Sequence, residues 1–253
     1  VPTAISIFGT VAAQEVARRA AAAKYKVDLT PPFFVPVWPL PSTGSFGAVT
    51  RRLGTVPNDE ASVAMSAAAG ITGYLVSTLI LCYGLFLGPD PDKVLNLNFQ
   101  LLPLVLKLVL KPLLGVSSVT DQPDPFADPI SIAFSANPWT IGGIIGLVVT
   151  SLNMLPIGRL DGGNIAKGIL GGRNGGFLSF GALFLLLLST ISPNEAGTLY
   201  LTFGSFCIIF QGGSESPSRD SVTEVDGPLK FLGLFLITLG TILSVPGILL
   251  PNV

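Results

Sequence analysis

The chain has 253 residues, of which 49% are hydrophobic and only 11% charged, with a formal net charge of −1 and no histidine. A soluble domain carries roughly 25% charged residues, so this composition, with its mean hydropathy of +0.67, is that of a lipid-embedded protein. The basic residues are few and scattered, which excludes the electrostatic footprint of a nucleic-acid-binding protein.

The pattern predicts an all-α polytopic membrane protein, one membrane domain over residues 1–253, with about six transmembrane helices, one interfacial helix and a short re-entrant β-like loop. The chain opens on Val1 with no basic-then-apolar-then-cleavage pattern ahead of its first helix. A processed or partial start is therefore expected, with any targeting segment upstream. Residues 5–26 read as a helix, apolar at first and then basic, supported by the alanines after Arg19. Over 27–60, Pro31, Pro32, Pro36, Pro39 and Pro41 forbid a continuous helix. Gly44–Arg51 within it reads as a strand or re-entrant loop, which at membrane depth needs protein or water to satisfy its backbone.

Residues 61–88 are the clearest span, with Ser62, Ser66, Gly70 and Gly73 at helical spacing for close helix contact. The leucine-rich stretch 94–114 carries Gln100, Lys107 and Lys111, with the lysines four apart on one face. An interfacial amphipathic helix fits this better than a span. A polar loop over 116–137 holds Asp121, Asp124 and Asp128, spaced too loosely for a calcium cage. Further spans are expected near 139–156, 176–192, 196–210 and 231–249, with a polar loop at 211–227. Cys82 and Cys207 both fall in apolar runs and read as packing residues rather than a disulfide or metal site. Arg18, Arg19, Lys24, Lys26, Arg51 and Arg52 cluster where the first helix ends, which puts that side in the cytoplasm or its organellar equivalent.

Two acids fall where a bilayer makes charge expensive, Glu15 and Asp161, and intramembrane acids are functional candidates with a partner to be found. Asp161 belongs to Asn153-Met-Leu-Pro-Ile-Gly-Arg-Leu-Asp-Gly-Gly163. That stretch resembles the Asn-x-x-Pro-x-x-x-Leu-Asp-Gly signature of the site-2 protease family of intramembrane zinc metalloproteases. Gln14-Glu15-Val16-Ala17-Arg18 stands where the family carries His-Glu-x-x-His, two ligands one turn apart with a general base between them. Phe33-Phe-Val-Pro36, Gly44–Arg51 and Gln211-Gly-Gly are similar to the chloroplast branch, the ethylene-dependent gravitropism-deficient and yellow-green proteins. The likeness covers nearly the whole chain, with a longer stretch between Phe34 and Gly44.

The departure lies at positions 14 and 18, where the resemblance implies histidine and this chain has Gln14 and Arg18. Of the implied ligands Asp161 remains, and of the implied catalytic groups Glu15. Hydrolytic zinc needs three protein ligands and an open position, and Arg18 is permanently cationic. No catalytic residue, metal ligand or cofactor is therefore expected. The degenerate site comprises Gln14, Glu15, Arg18, Asn153 and Asp161, with an ion pair between Arg18 and Asp161. The alternative for Arg18 is to snorkel to the interface beside Arg19. Asn153 and Pro156 either shape a substrate-facing unwound segment or only end a span, and the structural role is favoured.

On this reading the chain is expected not to be an enzyme but a pseudoprotease, a scaffold or assembly subunit that meets other membrane proteins through its lateral surfaces. The resemblance implies a chloroplast membrane, the thylakoid before the inner envelope, and partners in a photosynthetic or translocation complex. Alternatives are a receptor or chaperone holding transmembrane helices in the old substrate cleft, and an intramembrane metalloprotease completed by another subunit's ligand.

Overall fold

The computed structural model describes residues 2–36, 45–88, 137–188, 190, 195–211 and 218–244. The expected interfacial helix over 94–114, the loop over 116–136 with its three aspartates, and residues 37–44 and 212–217 of the other two loops lie outside the described residues.

Helix α1 runs Pro2–Lys24, starting on a proline, whose missing N–H is an orphan at a helix start anyway. It buries Ser6, Ile7, Thr10, Val11, Gln14 and Glu15, a stripe at steps of three and four that carries polar groups inward. The stretch after α1 folds as two nested antiparallel pairs. Strand β1 (Asp28–Leu29) pairs with β4 (Arg52–Leu53), and β2 (Phe33–Pro36) pairs with β3 (Ser45–Val49) across a bulge between Phe34 and Pro36. Pro31 and Pro32, by excluding helix, leave extended backbone as the way to satisfy these main-chain groups.

Helix α2 spans Asp59–Leu87, capped by Asn58, whose side chain accepts from Ala61 N at 3.0 Å. Its small residues Ser62, Ser66, Gly70, Gly73 and Ser77 are buried, and Gly73 comes up against Gln14 of α1 and Thr150 of α3 (Pro138–Asn153). Helix α4 is Asp161–Leu188, broken at Gly171, which sits at φ 81°, ψ 161°. Helix α5 runs Glu195–Phe206 and continues as a π-helical turn over Cys207–Gln211. Helix α6 is Gly227–Ser244. The core gathers Val63, Met154, Ile165 and Phe203 between α2, α4, α5 and α6. Phe46 of β3 enters it, its ring centroid 5.2 Å from Phe203 and 5.5 Å from Phe206, so the sheet is anchored to the helices.

The expectation of about six spans is corrected among the described residues. Three helices are long and apolar enough to cross a membrane: Asp59–Leu87, Asp161–Leu188 and Gly227–Ser244. At 16 residues, α3 rises about 24 Å, short of the roughly 30 Å hydrocarbon core, because Pro156 forbids helix beyond its end. The run expected at 176–192 belongs to a helix that starts fifteen residues earlier, at Asp161. Apolar runs mark burial in lipid or in protein alike, so run length alone overcounts spans. The outer faces of the long helices leave Phe86, Phe180 and Phe231 72–89% exposed, the surface a helix shows to lipid.

Candidate functional site

The polar centre is assembled where α1, the end of β3 and the turn between α3 and α4 converge. The helix spacing puts Gln14 and Arg18 on one face of α1, with Glu15 and Arg19 beside them. Arg18 Nη2 donates to Asp161 Oδ2 at 2.6 Å, and Nη1 lies 3.6 Å from Glu15 Oε2. The two side chains of the shorter pair are 15% and 13% exposed, so Arg18 points inward rather than to the interface. Glu15 is buried; its Oε2 accepts from Thr50 Oγ1 at 2.8 Å, and its Oε1 is ion-paired with Arg19, whose Nε lies 2.9 Å away.

Gln14 turns away from this pair: its Nε2 donates to Thr150 Oγ1 at 2.7 Å, and that hydroxyl donates to Gly146 O at 2.7 Å. The approach depends on Gly73, where a Cβ would collide with Gln14 Nε2 and with Thr150. Asn153 is the last residue of α3, and its Nδ2 donates to Phe46 O and Val149 O, both at 3.0 Å. Thus Arg18, Glu15 and Asp161 form one cluster, while Gln14 and Asn153 act as ties, one to α3 and the other from α3 to β3.

Residues that sequence reasoning missed complete the centre. Arg19 was readable, since Glu15 and Arg19 stand four apart on a helix. Thr50 and Thr150 had no such signal, because their partners are 35 and 136 residues away. A cleft opens over the cluster, lined by Arg18, β3 and the segment after it, Asn153, Arg159–Asp161, the aromatic rings of Phe206 and Phe210, and Gln211. The cleft floor is braced by Arg159 N, which donates to Gln211 O at 3.2 Å.

The model of peptidase family M50 matches residues 11–188 of the chain, which takes in α1 with Gln14, Glu15 and Arg18 and the whole of the Asn153–Asp161 segment. The chain belongs to peptidase family M50. Among curated relatives, it is 32% identical over 236 residues to the "Probable zinc metallopeptidase EGY3, chloroplastic" of Arabidopsis thaliana, covering 87% of this chain and 38% of the relative. It is 32% identical over 243 residues to the same plant's "Probable zinc metalloprotease EGY1, chloroplastic", covering 93% and 41%. It is 30% identical over 224 residues to "Probable zinc metalloprotease EGY2, chloroplastic", also from Arabidopsis thaliana, covering 87% and 37%. The chain therefore spans about two fifths of the length of these relatives. No solved structure matches it.

These matches correct the expectation that the chain is not an enzyme. M50 is a peptidase family and the relatives are named zinc metalloproteases or a metallopeptidase. That expectation rested on the missing imidazoles, and a missing donor is not by itself evidence about a reaction. The zinc that the relatives' names imply can nonetheless be tested against this M50 centre. Zinc takes about four donors in tetrahedral array. Here the Arg18 guanidinium, with no acceptor and a fixed positive charge, lies on the Asp161 oxygen. Glu15 Oε2 takes the Thr50 hydroxyl and Oε1 the Arg19 guanidinium. The donor set at Gln14, Glu15, Arg18 and Asp161 does not fit the ion, and no chemical step is routed through one.

Proposed function

We propose that this M50 chain sits in a chloroplast membrane and holds a segment of another membrane protein in the cleft between α1, β3 and the Asn153–Asp161 turn. One observation carries this reading: among the described residues β3 has a strand partner on one edge only, β2, and its Phe46, Ala48 and Val49 line the cleft over the polar centre. A segment laid there in extended form finds main-chain hydrogen bonds along a strand edge, the recognition mode of β-augmentation. Phe46, Phe206 and Phe210 offer apolar contact to its side chains. Rigidity comes from below, where Asn153 fixes Phe46 O and the Arg18–Asp161 pair joins α1 to α4. The relatives' names support the chloroplast, and the three long apolar helices support the membrane. Within the chloroplast the thylakoid is the proposed membrane.

A scaffold acting through the small-residue stripe of α2 is less well supported. Gly70 faces Met154 and Leu236, and Gly73 faces Gln14 and Thr150, so that stripe is spent on internal packing. The holding reading is tested by placing a photo-crosslinking amino acid at Ala48 in the full chain in lipid nanodiscs. Adducts with single-span membrane peptides, lost when an excess of unlabelled peptide is added and absent from a crosslinker at outward-facing Phe231, are expected. Equal labelling at both positions would show lipid-side collision instead and sink the reading.

A further inference from the structure

Opposite its buried stripe, helix α1 carries an exposed one that changes character along its length. Ile5, Phe8, Ala12, Val16, Ala20 and Lys24 recur at steps of three and four and are all exposed, so one face runs from apolar to cationic. The strands climb beside α1 in the same order. The Phe34 ring of β2 meets the Phe8 ring edge-on, with centroids 5.8 Å apart. Thr50 donates to Glu15 at 2.8 Å, and Thr30 O accepts from Arg19 Nη2 at 2.5 Å. The exposed Phe33 and Phe34 therefore accompany the early turns of α1. Arg51 stands nearer its end, its N donating to Thr30 Oγ1 at 2.9 Å. Between Phe8 and Lys24 the helix rises about 24 Å at 1.5 Å per residue. Half a bilayer offers about 15 Å of hydrocarbon before the headgroups begin. The rings and the cations are thus spaced to lie at acyl depth and headgroup depth.

The cationic end is unbalanced. Lys24, Lys26 and Arg51 are exposed, and among the described residues none of them enters a salt bridge. Of the acids nearby, Glu60 accepts the Tyr25 hydroxyl at 2.9 Å, the charge of Asp226 also bears on Tyr25, and Asp28 is exposed on β1. Lys26 closes α1 in a left-handed backbone, φ 55°, with its N donating to Ala23 O at 3.3 Å. Glycine takes that conformation most cheaply, and a side chain held there points to a function for it.

We propose that this outer face of α1 and β2 docks an anionic glycerolipid, its acyl chains along Ile5, Phe8 and Phe34 and its headgroup against Lys24, Lys26 and Arg51. The site lies on the other side of α1 from the polar centre and does not depend on what the cleft holds. Basic clusters at the edge of a membrane-embedded apolar surface attract anionic lipid, and long basic side chains lay their stems on the apolar strip while their charges reach the headgroups. A lipid fits better than a soluble anion because the cations continue into exposed apolar side chains. It fits better than a partner helix because the charges gather at one depth.

The test takes the full chain in nanodiscs of equal parts phosphatidylglycerol and phosphatidylcholine and counts the lipids it retains by native mass spectrometry. Phosphatidylglycerol should be enriched about fivefold, less so as salt is raised. Replacing Lys24→Gln, Lys26→Gln and Arg51→Gln together should bring the two lipids to parity, whereas Arg173→Gln, an exposed cation elsewhere, should change nothing. If the triple variant does not fold, Lys26→Gln alone serves and should halve the enrichment. Phe8→Ala with Phe34→Ala should lower the number of both lipids retained and leave their ratio alone. Parity in the unmodified chain, or enrichment that survives the triple variant, would overturn the proposal. So would an equal loss in Arg173→Gln, or a lipid count untouched by the two Phe substitutions. Enrichment erased by millimolar inorganic phosphate would assign the cations to a soluble anion instead, and a lipid-free dimer would assign the face to a second copy.

Discussion

Arg18 illustrates how a single side chain can organise a membrane-embedded centre. Its guanidinium reaches Asp161 at 2.6 Å and stands 3.6 Å from Glu15, so one fixed cation lies between two carboxylates that would otherwise repel each other. Removing one partner of such a pair leaves a buried charge uncompensated, at a cost of about 3–5 kcal/mol, whereas replacing both by apolar groups of similar volume is often neutral. Arg18→Gln should therefore lower the thermal midpoint sharply in detergent. Arg18→Met combined with Asp161→Leu should recover most of the loss, and a double variant as unstable as the single would contradict the pairing energetics. At Gly73 the constraint is steric. Gly73→Ala puts a methyl into Gln14 and Thr150, and overpacking of this kind costs about 1–3 kcal/mol. A Gly73→Ala chain with an unchanged unfolding midpoint would show that α1 can move off α2 freely.

At the scale of elements, the break in α4 and the strap ahead of α6 do different work. Gly171 sits at φ 81°, ψ 161°, a region open essentially to glycine alone, where another residue carries about 1–3 kcal/mol of strain. Gly171→Ala should destabilise by that amount, read from chemical unfolding, although nothing lies within 4 Å of the added methyl. The strap 218–223 ties to the entry of α2: Arg219 N donates to Val56 O at 2.9 Å, Asp220 N to Pro57 O at 3.0 Å, and Ser218 Oγ to Asp59 Oδ1 at 2.5 Å.

Asp220 closes the strap's turn. Its carboxylate accepts from the Thr223 hydroxyl and from the Thr223 and Val222 amides, and these hydrogen bonds hold its pKa below the ordinary value. A carboxyl depressed on folding contributes stability that is fully present above the unfolded pKa of about 3.9 and is lost as pH falls through the lower folded value. Amide exchange at Val222 and Thr223 should stay slow at neutral pH and accelerate only below about pH 4. Acceleration already near neutrality would contradict the turn.

At the scale of the whole molecule, the described residues combine three helices long and apolar enough to span a bilayer with a polar centre that could not stand alone in lipid. Carbonate at high pH should leave the chain in the membrane pellet, and its release to the supernatant would contradict transmembrane insertion. The two features belong together, since ions taken out of water need close partners to offset their lost hydration.

Sequence by itself determined the membrane class, because 11% charged residues cannot clothe a soluble surface. It also determined the family likeness and the positions worth watching, 14, 15, 18, 153 and 161, because motif residues sit at short fixed spacings along the chain. Tertiary structure decided which atoms meet. Glu15 is claimed by Thr50 and Arg19, Gln14 by Thr150 and Asn153 by the carbonyl of Phe46. Most of these partners lie far away in sequence, and pairing across such distances is written in helix packing rather than local pattern. The number of long spans was likewise hidden, since an apolar run of α3's length serves equally well in lipid and in a protein interior. Which of the two surrounds it is settled only when α1, α2 and α6 close around it.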